Sequence, residues 1–135
     1  MIETALTLPL LLLLSVSVYE FGRAFQHWQV LTNAAREGAR IAVLPGTTDE
    51  AIEARVENYL EAGQLTVPEQ MAVDIVRNAL ISIGPDADDT ASASTVSVNY
   101  PFEFMVLQPV MRLVAGESEV GAPITMNATA TMRNE

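Results

Sequence analysis

Few side chains of this protein are of the types that catalyse reactions or bind metals. Its 135 residues contain no cysteine and one histidine, His27. Disulfides, thiol catalysis and cysteine-ligated metals are thereby excluded, as are histidine-cluster metal sites and most catalytic triads. The sequence also has no glycine-rich phosphate loop and no nucleophile elbow. We therefore expect neither enzymatic activity nor a cofactor, and we interpret His27, beside Trp28, as helix surface or a subunit contact.

Oxygen-bearing side chains are concentrated in one acidic segment, GPDADDTASAST (residues 84–95). Asp86, Asp88 and Asp89 offer the oxygen ligands that Ca²⁺ prefers. Their spacing lacks a complete EF-hand pattern and no distal glutamate fits it, so a solvated turn is the favoured interpretation. The segment Asn127-Ala-Thr129 fits the N-glycosylation motif, but that motif is common by chance and lies here in a predicted strand.

Glu3 is a lone carboxylate at the start of a long apolar run. Thr4 to Tyr19 carries no charge, and a transmembrane helix needs about 20 apolar residues. No basic residue precedes Arg23 and more helical pattern follows, so we interpret the run as a membrane helix and not as a cleaved signal peptide. An ionised carboxylate inside a bilayer is costly and hence a functional candidate. Equally open is that Glu3 is hydrated at the interface and only marks the helix end.

One helical pattern continues from the apolar run to Pro45-Gly46, which terminates it. Its apolar half, residues 1–21, suits lipid, and its amphipathic half, residues 22–45, suits a globular domain lying against one side. Pro9 lacks a backbone donor, so we expect a kink or a locally unwound stretch there, with a kink of no functional role as the alternative. Three- and four-residue steps place these side chains on one packing face: Phe21, Phe25, Trp28, Leu31, Ala35, Ala39 and Ala42. The small residues that allow another backbone to approach closely are Ala34, Ala35, Gly38, Ala39 and Ala42.

Residues 46–135 predict a small α+β head with one or two helices and a roughly three-stranded antiparallel sheet. A helix is expected from Thr48 or Asp49 to Gly63, because threonine caps it and acidic residues favour its first turn. Its predicted apolar face consists of Ala51, Ile52, Val56, Tyr59 and Leu60. Alternating residues predict strands at 72–83, with a break near Arg77-Asn78, at 94–102 and at 124–132. We expect the apolar side of this sheet to pack on the alanine-rich face of the first helix.

A second short helix is predicted to begin at Pro109. Its apolar residues are Val110, Met111, Leu113 and Val114. On so small a domain, this apolar surplus either covers the core or forms an inter-subunit contact, because exposed apolar patches often mark interfaces.

The charge balance limits the kinds of partner. The formal net charge is −10, and arginines supply all seven basic residues. Nucleic-acid binding needs a basic stripe and is therefore not expected. The acidic excess suits a surface that resists nonspecific association.

Three parts of the sequence together resemble TadE-like proteins, the pilin-like subunits of tight-adherence pili within the type IV filament superfamily. The first is ETALTLPLLLLL…YEFGRAF…LTNAAREGARIAVL, within residues 1–45. The others are VSVNYPFEF (96–104) and ITMNATATMRNE (124–135), which are similar to the strand motifs that close TadE-like domains. The intervening residues 46–95 are similar only in general character.

The resemblance implies a structural subunit and not an enzyme. Such a pilin waits in the cytoplasmic membrane, a prepilin peptidase removes a leader, and the assembly machinery moves the helix from lipid into an extracellular filament. There the family glutamate meets a neighbouring subunit's terminal ammonium, and Glu3 corresponds to it by context, since Pro9 follows six positions later as in the family. The implied partners are other pilin subunits, of the same or of another kind, and the membrane before assembly.

Two alternatives remain at this point. Within the filament class, the chain is either a major subunit of the shaft or a minor subunit that initiates or tips it. Outside that class, it is a single-pass, membrane-anchored extracytoplasmic binding domain that never polymerises. Glu3 and the small-residue stripe favour the filament.

Overall fold

A computed structural model describes residues 2–83, 90–115 and 123–134. Its architecture is α+β, as predicted, with a long first helix and a three-stranded antiparallel sheet. In chain order the elements are α1 (Ile2–Ala42), α2 (Asp49–Ala62), β1 (Ala72–Ser82), β2 (Thr90–Phe102), α3 (Leu107–Ala115) and β3 (Ile124–Arg133).

Two compact units divide the chain. The first unit consists of Met1–His27 and Phe102–Ile124, and the second of Trp28–Pro101 and Thr125–Glu135. Helix α1 therefore contributes its apolar half to the first unit and most of its amphipathic half to the second. The sequence predicts a different boundary, at residue 45, between a helix (residues 1–45) and a head (residues 46–135). That boundary stays a prediction.

Helix α1 is helical from end to end. Pro9 lies inside it, so the unwound stretch expected there is wrong, whereas the kink stays a prediction. The hydroxyls of Ser15 and Ser17 donate to the carbonyls of Leu11 and Leu13, at 2.9 and 2.7 Å. These two serine hydroxyls are thus satisfied within the helix itself.

Helix α2 begins and ends where its sequence predicts. The Thr48 hydroxyl accepts a hydrogen bond from the Ala51 amide at 3.3 Å, and the Gly63 amide donates to the Tyr59 carbonyl at 3.0 Å. Burial is narrower than predicted, because Ile52, Val56 and Leu60 are buried whereas Ala51 and Tyr59 are exposed. The buried residues follow a strict four-residue step, and this gives only a narrow stripe facing the core.

The core of the second unit forms where α1 meets α2 and β2. A Cβ atom added to Gly38 would lie 2.8 Å from Val56 Cγ2 and 3.2 Å from Val96 Cγ1. Only a residue without a side chain allows so close an approach of these elements. The fully buried α1 residues around it are Leu31, Ala34, Ala35 and Ala39. The alanine-rich face of α1 therefore packs on the sheet, as predicted.

The sheet has the strand order β1-β2-β3. Strands β1 and β2 are antiparallel, from the pair Ala72–Asn99 to the pair Ser82–Thr90, with a register shift between Val76 and Ala79. Asn78 has a φ of 53° at this shift, so the predicted break is confirmed as a β-bulge.

Strand β2 begins at Thr90, earlier than predicted. Residues 90–93 were expected to belong to a turn, and that expectation is wrong. Ala91 and Ala93 are buried, so small side chains pack there and leave no strong apolar alternation in the sequence. The three aspartates of the predicted acidic turn lie outside the described residues.

Candidate functional site

The apolar half of α1 is a long exposed apolar surface of the first unit. Every residue from Glu3 to Ser15 is exposed, including each leucine. Among the described residues, α1 is the one helix long and apolar enough to cross a membrane. Only 6 % of its most apolar window is buried. Such a surface is stable in lipid or against other apolar helices, and costly in water.

The two predicted assembly residues lie on this exposed surface. Glu3 is exposed and occupies the first turn of α1, where the helix dipole favours a negative charge. Pro9 is exposed as well, about 1.7 turns further along. Neither side chain is covered by the rest of the first unit, so both are available to lipid or to another chain.

The predicted packing residues fall into two groups. Phe21, Phe25 and Trp28 are about half exposed or more, at 61 %, 57 % and 48 %. In contrast, the small residues Ala35, Gly38, Ala39 and Ala42 are buried in the core of the second unit. The aromatic group therefore remains accessible, whereas the small-residue group is covered by the chain's own α2 and β2.

A buried carboxylate, Glu20, lies directly after the apolar run, and sequence reasoning did not single it out. It is only 1 % exposed. Its Oε1 accepts a hydrogen bond from the amide of Val106, just before α3. Its Oε2 is buried and has no hydrogen-bond partner among the described residues. A carboxylate in such a place holds the β2–α3 connection against α1.

Arg23 makes a second attachment one turn further along α1. Its Nη2 donates to the Glu103 carbonyl at 2.6 Å, and its guanidinium lies 5.0 Å from the centre of the Phe102 ring. A cation over an aromatic ring is attracted by the electron-rich face. The arginine therefore binds the end of β2 in two ways.

Aromatic rings complete the same cluster. Phe21 and Phe104 meet edge to face at 5.7 Å between ring centres, and Phe102 and Phe104 do so at 5.1 Å. His27 also stands edge to face on Phe102, at 5.1 Å. His27 thus packs on its own chain as a partly buried helix residue, which fits the helix-surface interpretation.

Helix α3 carries exposed apolar side chains. Leu113 is 88 % exposed, and Met105, just before the helix, is 66 % exposed. They line an open groove together with Phe104 and Pro109. Pro109 is the third residue of α3 rather than its first, because the helix begins at Leu107.

No metal site is found in the described part of the chain. There, no three His, Cys, Asp or Glu side chains form a group that could hold an ion. Asp86, Asp88 and Asp89, the residues considered for Ca²⁺, lie outside it. Asn127 lies in β3, as predicted, and its side-chain amide donates to Asn99 at 2.6 Å.

Among the described residues of the second unit, Tyr100 and Glu50 have shifted pKa values. Burial raises the pKa of Tyr100, whose hydroxyl donates to the Thr66 carbonyl at 2.9 Å. The pKa of Glu50 is lowered, first by a hydrogen bond from its own backbone amide and then by the Thr48 hydroxyl. Both groups support local structure, and neither forms part of a recognisable catalytic arrangement.

Comparison with known proteins bears on the N-terminal segment. Residues 1–40 match the TadE-like protein family. The resemblance predicted from the sequence is thereby confirmed for α1, and residues 41–135 lie outside the match. No curated protein and no solved structure matches the chain significantly. The matched family is a structural, pilus-associated family and not an enzyme family, and the match covers nearly all of α1, the helix that is long and apolar enough to cross a membrane.

Proposed function

We propose that this protein is a structural subunit, a pilin or pseudopilin, of an extracellular tight-adherence pilus. It is held in the cytoplasmic membrane before assembly and polymerises through α1. One observation carries the proposal: the segment that matches the TadE-like family also contains the apolar half of α1, whose residues 3–15 are all exposed in the single chain. A helix that needs an apolar partner along its length suits lipid first and neighbouring subunits afterwards.

The transfer from lipid to filament is physically reasonable because the two environments are alike. Lipid chains are as apolar as leucine, so hydrophobic burial alone gives little preference between the membrane and a bundle of helices. Close packing and polar contacts between subunits then decide the direction. The assembly machinery and a prepilin peptidase are the further partners that this function requires.

Glu3 is the polar contact that we assign to assembly. In a filament, its carboxylate meets the terminal ammonium of a neighbouring subunit within a dry helical core. Leaving either charge there without its partner costs about 3–5 kcal/mol. The pair therefore selects one docked register, and Pro9 shapes the helix beside it.

The remaining predicted residues have two different tasks in this proposal. Phe21, Phe25 and Trp28 are accessible and contact neighbouring subunits. Gly38 and the buried alanines of α1 instead hold the chain's own α2 and β2. The head is thus fixed to the helix before the helix enters a filament.

Substitution at Glu3 separates a polymerising subunit from an anchored domain. Glu3→Leu should greatly reduce or abolish filaments in cells that express it, while the protein remains in the membrane fraction. Glu57→Leu, at an exposed position of α2, is the matched control and should leave filaments unchanged. If Glu3→Leu cells assemble normal filaments that contain this chain, the role of Glu3 is refuted.

Imaging of sheared filaments tests the function itself. Filaments from native cells are imaged at near-atomic resolution and this chain is traced in the density. A repeat along the shaft identifies a major subunit, and a place only at the tip or base identifies a minor one. If the chain stays in the membrane and is absent from every filament, it is an anchored binding domain and the proposal is wrong.

A further inference from the structure

The first unit ties the start of α3 to one short stretch of α1. Three contacts do so: Glu20 with the Val106 amide, Phe21 with Phe104, and Arg23 with the Glu103 carbonyl. Residues 20–23 cover only about 4.5 Å of helix axis. The connection that leads into α3 is therefore held at a fixed position along the axis of α1, which we call its level.

That level is the end of the apolar run. Glu20 is the first charged residue after Glu3, and Tyr19, immediately before it, is exposed. Aromatic side chains are enriched where a membrane meets water. If the apolar half of α1 lies in a bilayer, residues 19–23 lie at the headgroups, and Val106 is held at the same depth.

Helix α3 cannot move far from this level. Leu113 is six residues beyond Leu107, and this corresponds to about 9 Å along the helix. Whichever way α3 points, its exposed apolar side chains stay close to the boundary. Met105, Val106 and Leu113 are all exposed, and an apolar group left in water forgoes about 25 cal/mol for each Å² that could be buried.

We propose that Met105, Val106 and Leu113 form a second membrane contact, which dips into the boundary between headgroups and acyl chains. The inference rests on the proposed function only in requiring that the apolar half of α1 lies in a bilayer. Lipid is the favoured occupant because the Val106 amide is bound at the end of the apolar run, where lipid ends, and the exposed apolar side chains lie within about 9 Å of that point along α3. The charged residues at this position along α1 have partners of their own, since Glu20 and Arg23 bind backbone groups of the same unit.

The charged residues near the patch are compatible with this position. Arg112 is exposed, and a long basic side chain can extend to a phosphate while its stem stays in apolar surroundings. Glu103 is exposed as well, and its carbonyl is bound by Arg23, which lies three residues beyond Glu20 and so farther from the apolar run. A short helix with apolar side chains and a basic neighbour resembles the segments that lie in the plane of the membrane surface.

A second contact would fix the depth of the first unit and limit the tilt of α1. A lone helix in a fluid bilayer can tilt in any direction, whereas a helix with an attached surface segment is held to the membrane at two places. The subunit would thus wait for assembly in a defined orientation. Extraction from the membrane must then release two contacts.

Site-directed labelling of the full chain tests the inference directly. The protein has no cysteine, so single variants Leu113→Cys and Met105→Cys can each carry one nitroxide spin label. The labelled protein is reconstituted at low density in phosphatidylethanolamine–phosphatidylglycerol vesicles. Collision with oxygen, which concentrates in lipid, is compared with collision with a water-soluble nickel chelate. Leu10→Cys in the apolar run serves as the lipid control and Glu57→Cys in α2 as the water control.

We expect the labels at positions 113 and 105 to favour oxygen, at a depth of about 5–10 Å below the headgroup boundary. Labels as accessible to the nickel chelate as the label at position 57 would overturn the inference. Labels shielded from both reagents would also overturn it, because a second copy of the chain would then cover the patch. If the label at position 10 is itself in water, the proposed membrane anchoring fails together with the inference.

Discussion

Gly38→Ala is the substitution that most directly probes how α1 holds the head. The added Cβ would lie 2.8 Å from Val56 Cγ2, 3.2 Å from Val96 Cγ1 and 3.6 Å from Ile52 Cγ2. All three of these residues are fully buried, so none can swing into solvent to make room. The methyl group must therefore push α2 and β2 away from α1.

Two terms of opposite sign set the magnitude. Alanine is favoured over glycine inside a helix by about 1 kcal/mol, while overpacking a well-packed core costs about 1–3 kcal/mol. The net expectation is a destabilisation of about 0–2 kcal/mol. For a unit of this size, each kcal/mol lowers the melting temperature by about 4–8 °C.

Thermal and urea unfolding of the full chain in detergent, followed by circular dichroism, measures the change. Gly22→Ala is the control in the same helix, because nothing lies within 4 Å of its added Cβ. It should be neutral or stabilising. In a Val56→Ala background the clash with Cγ2 is absent, so Gly38→Ala should cost less there than in the wild type. The close approach of α1 to α2 and β2 at Gly38 would be refuted if Gly38→Ala changed the free energy of unfolding equally in both backgrounds. It would also be refuted if Gly38→Ala changed stability no more than Gly22→Ala does.

Substitutions at three further positions test separate contacts. Thr48→Ala should destabilise the second unit by about 1 kcal/mol through loss of the α2 cap, and Thr48→Ser should not; chemical unfolding measures both. Glu20→Ala should speed amide hydrogen exchange at Val106, whereas Glu20→Gln keeps an acceptor and should change it less. The pKa of the Tyr100 hydroxyl is higher in the folded state than in the unfolded chain. The unfolded chain therefore loses this proton at a lower pH, and stability should fall as pH rises above about 10. Tyr100→Phe should remove this dependence of stability on pH. It also loses the hydrogen bond to Thr66, which should cost about 1 kcal/mol of stability at neutral pH. If the variant keeps the same pH dependence, another group is responsible for it.

Elements with a strong local signal could be predicted from the sequence. The bounds of α2 follow from Thr48 and Gly63, because capping depends on a few neighbouring residues. The break at Arg77-Asn78 is likewise local, and it appears as the bulge in β1. The first residues of β2 were missed, since Ala91 and Ala93 are buried without being strongly apolar, and their burial depends on close packing in the finished fold.

The accessible residues of the candidate site were harder to separate from the buried ones. Periodicity places Phe21 and Ala39 on one face of α1, and a face is all that periodicity can define. Which part of that face is covered depends on where α2 and the sheet lie. In the structure, Ala39 is fully buried and Phe21 is mostly exposed. The aromatic part thereby stays available for lipid or another subunit, and the small-residue part does not.

Glu20 illustrates why burial of a charged residue escapes sequence reasoning. A glutamate directly after an apolar run would be expected in the headgroup region, in contact with water. Its partner is the amide of Val106, far away in the chain, and no spacing or residue type links the two positions. Glu20 is buried because two distant segments meet at this point. The hydrogen bond from the Val106 amide to the Glu20 carboxylate holds the start of α3 at the end of the apolar run. The same residue that closes the lipid-facing segment of α1 therefore also sets the level of α3, and membrane depth measured at position 113 tests both roles together.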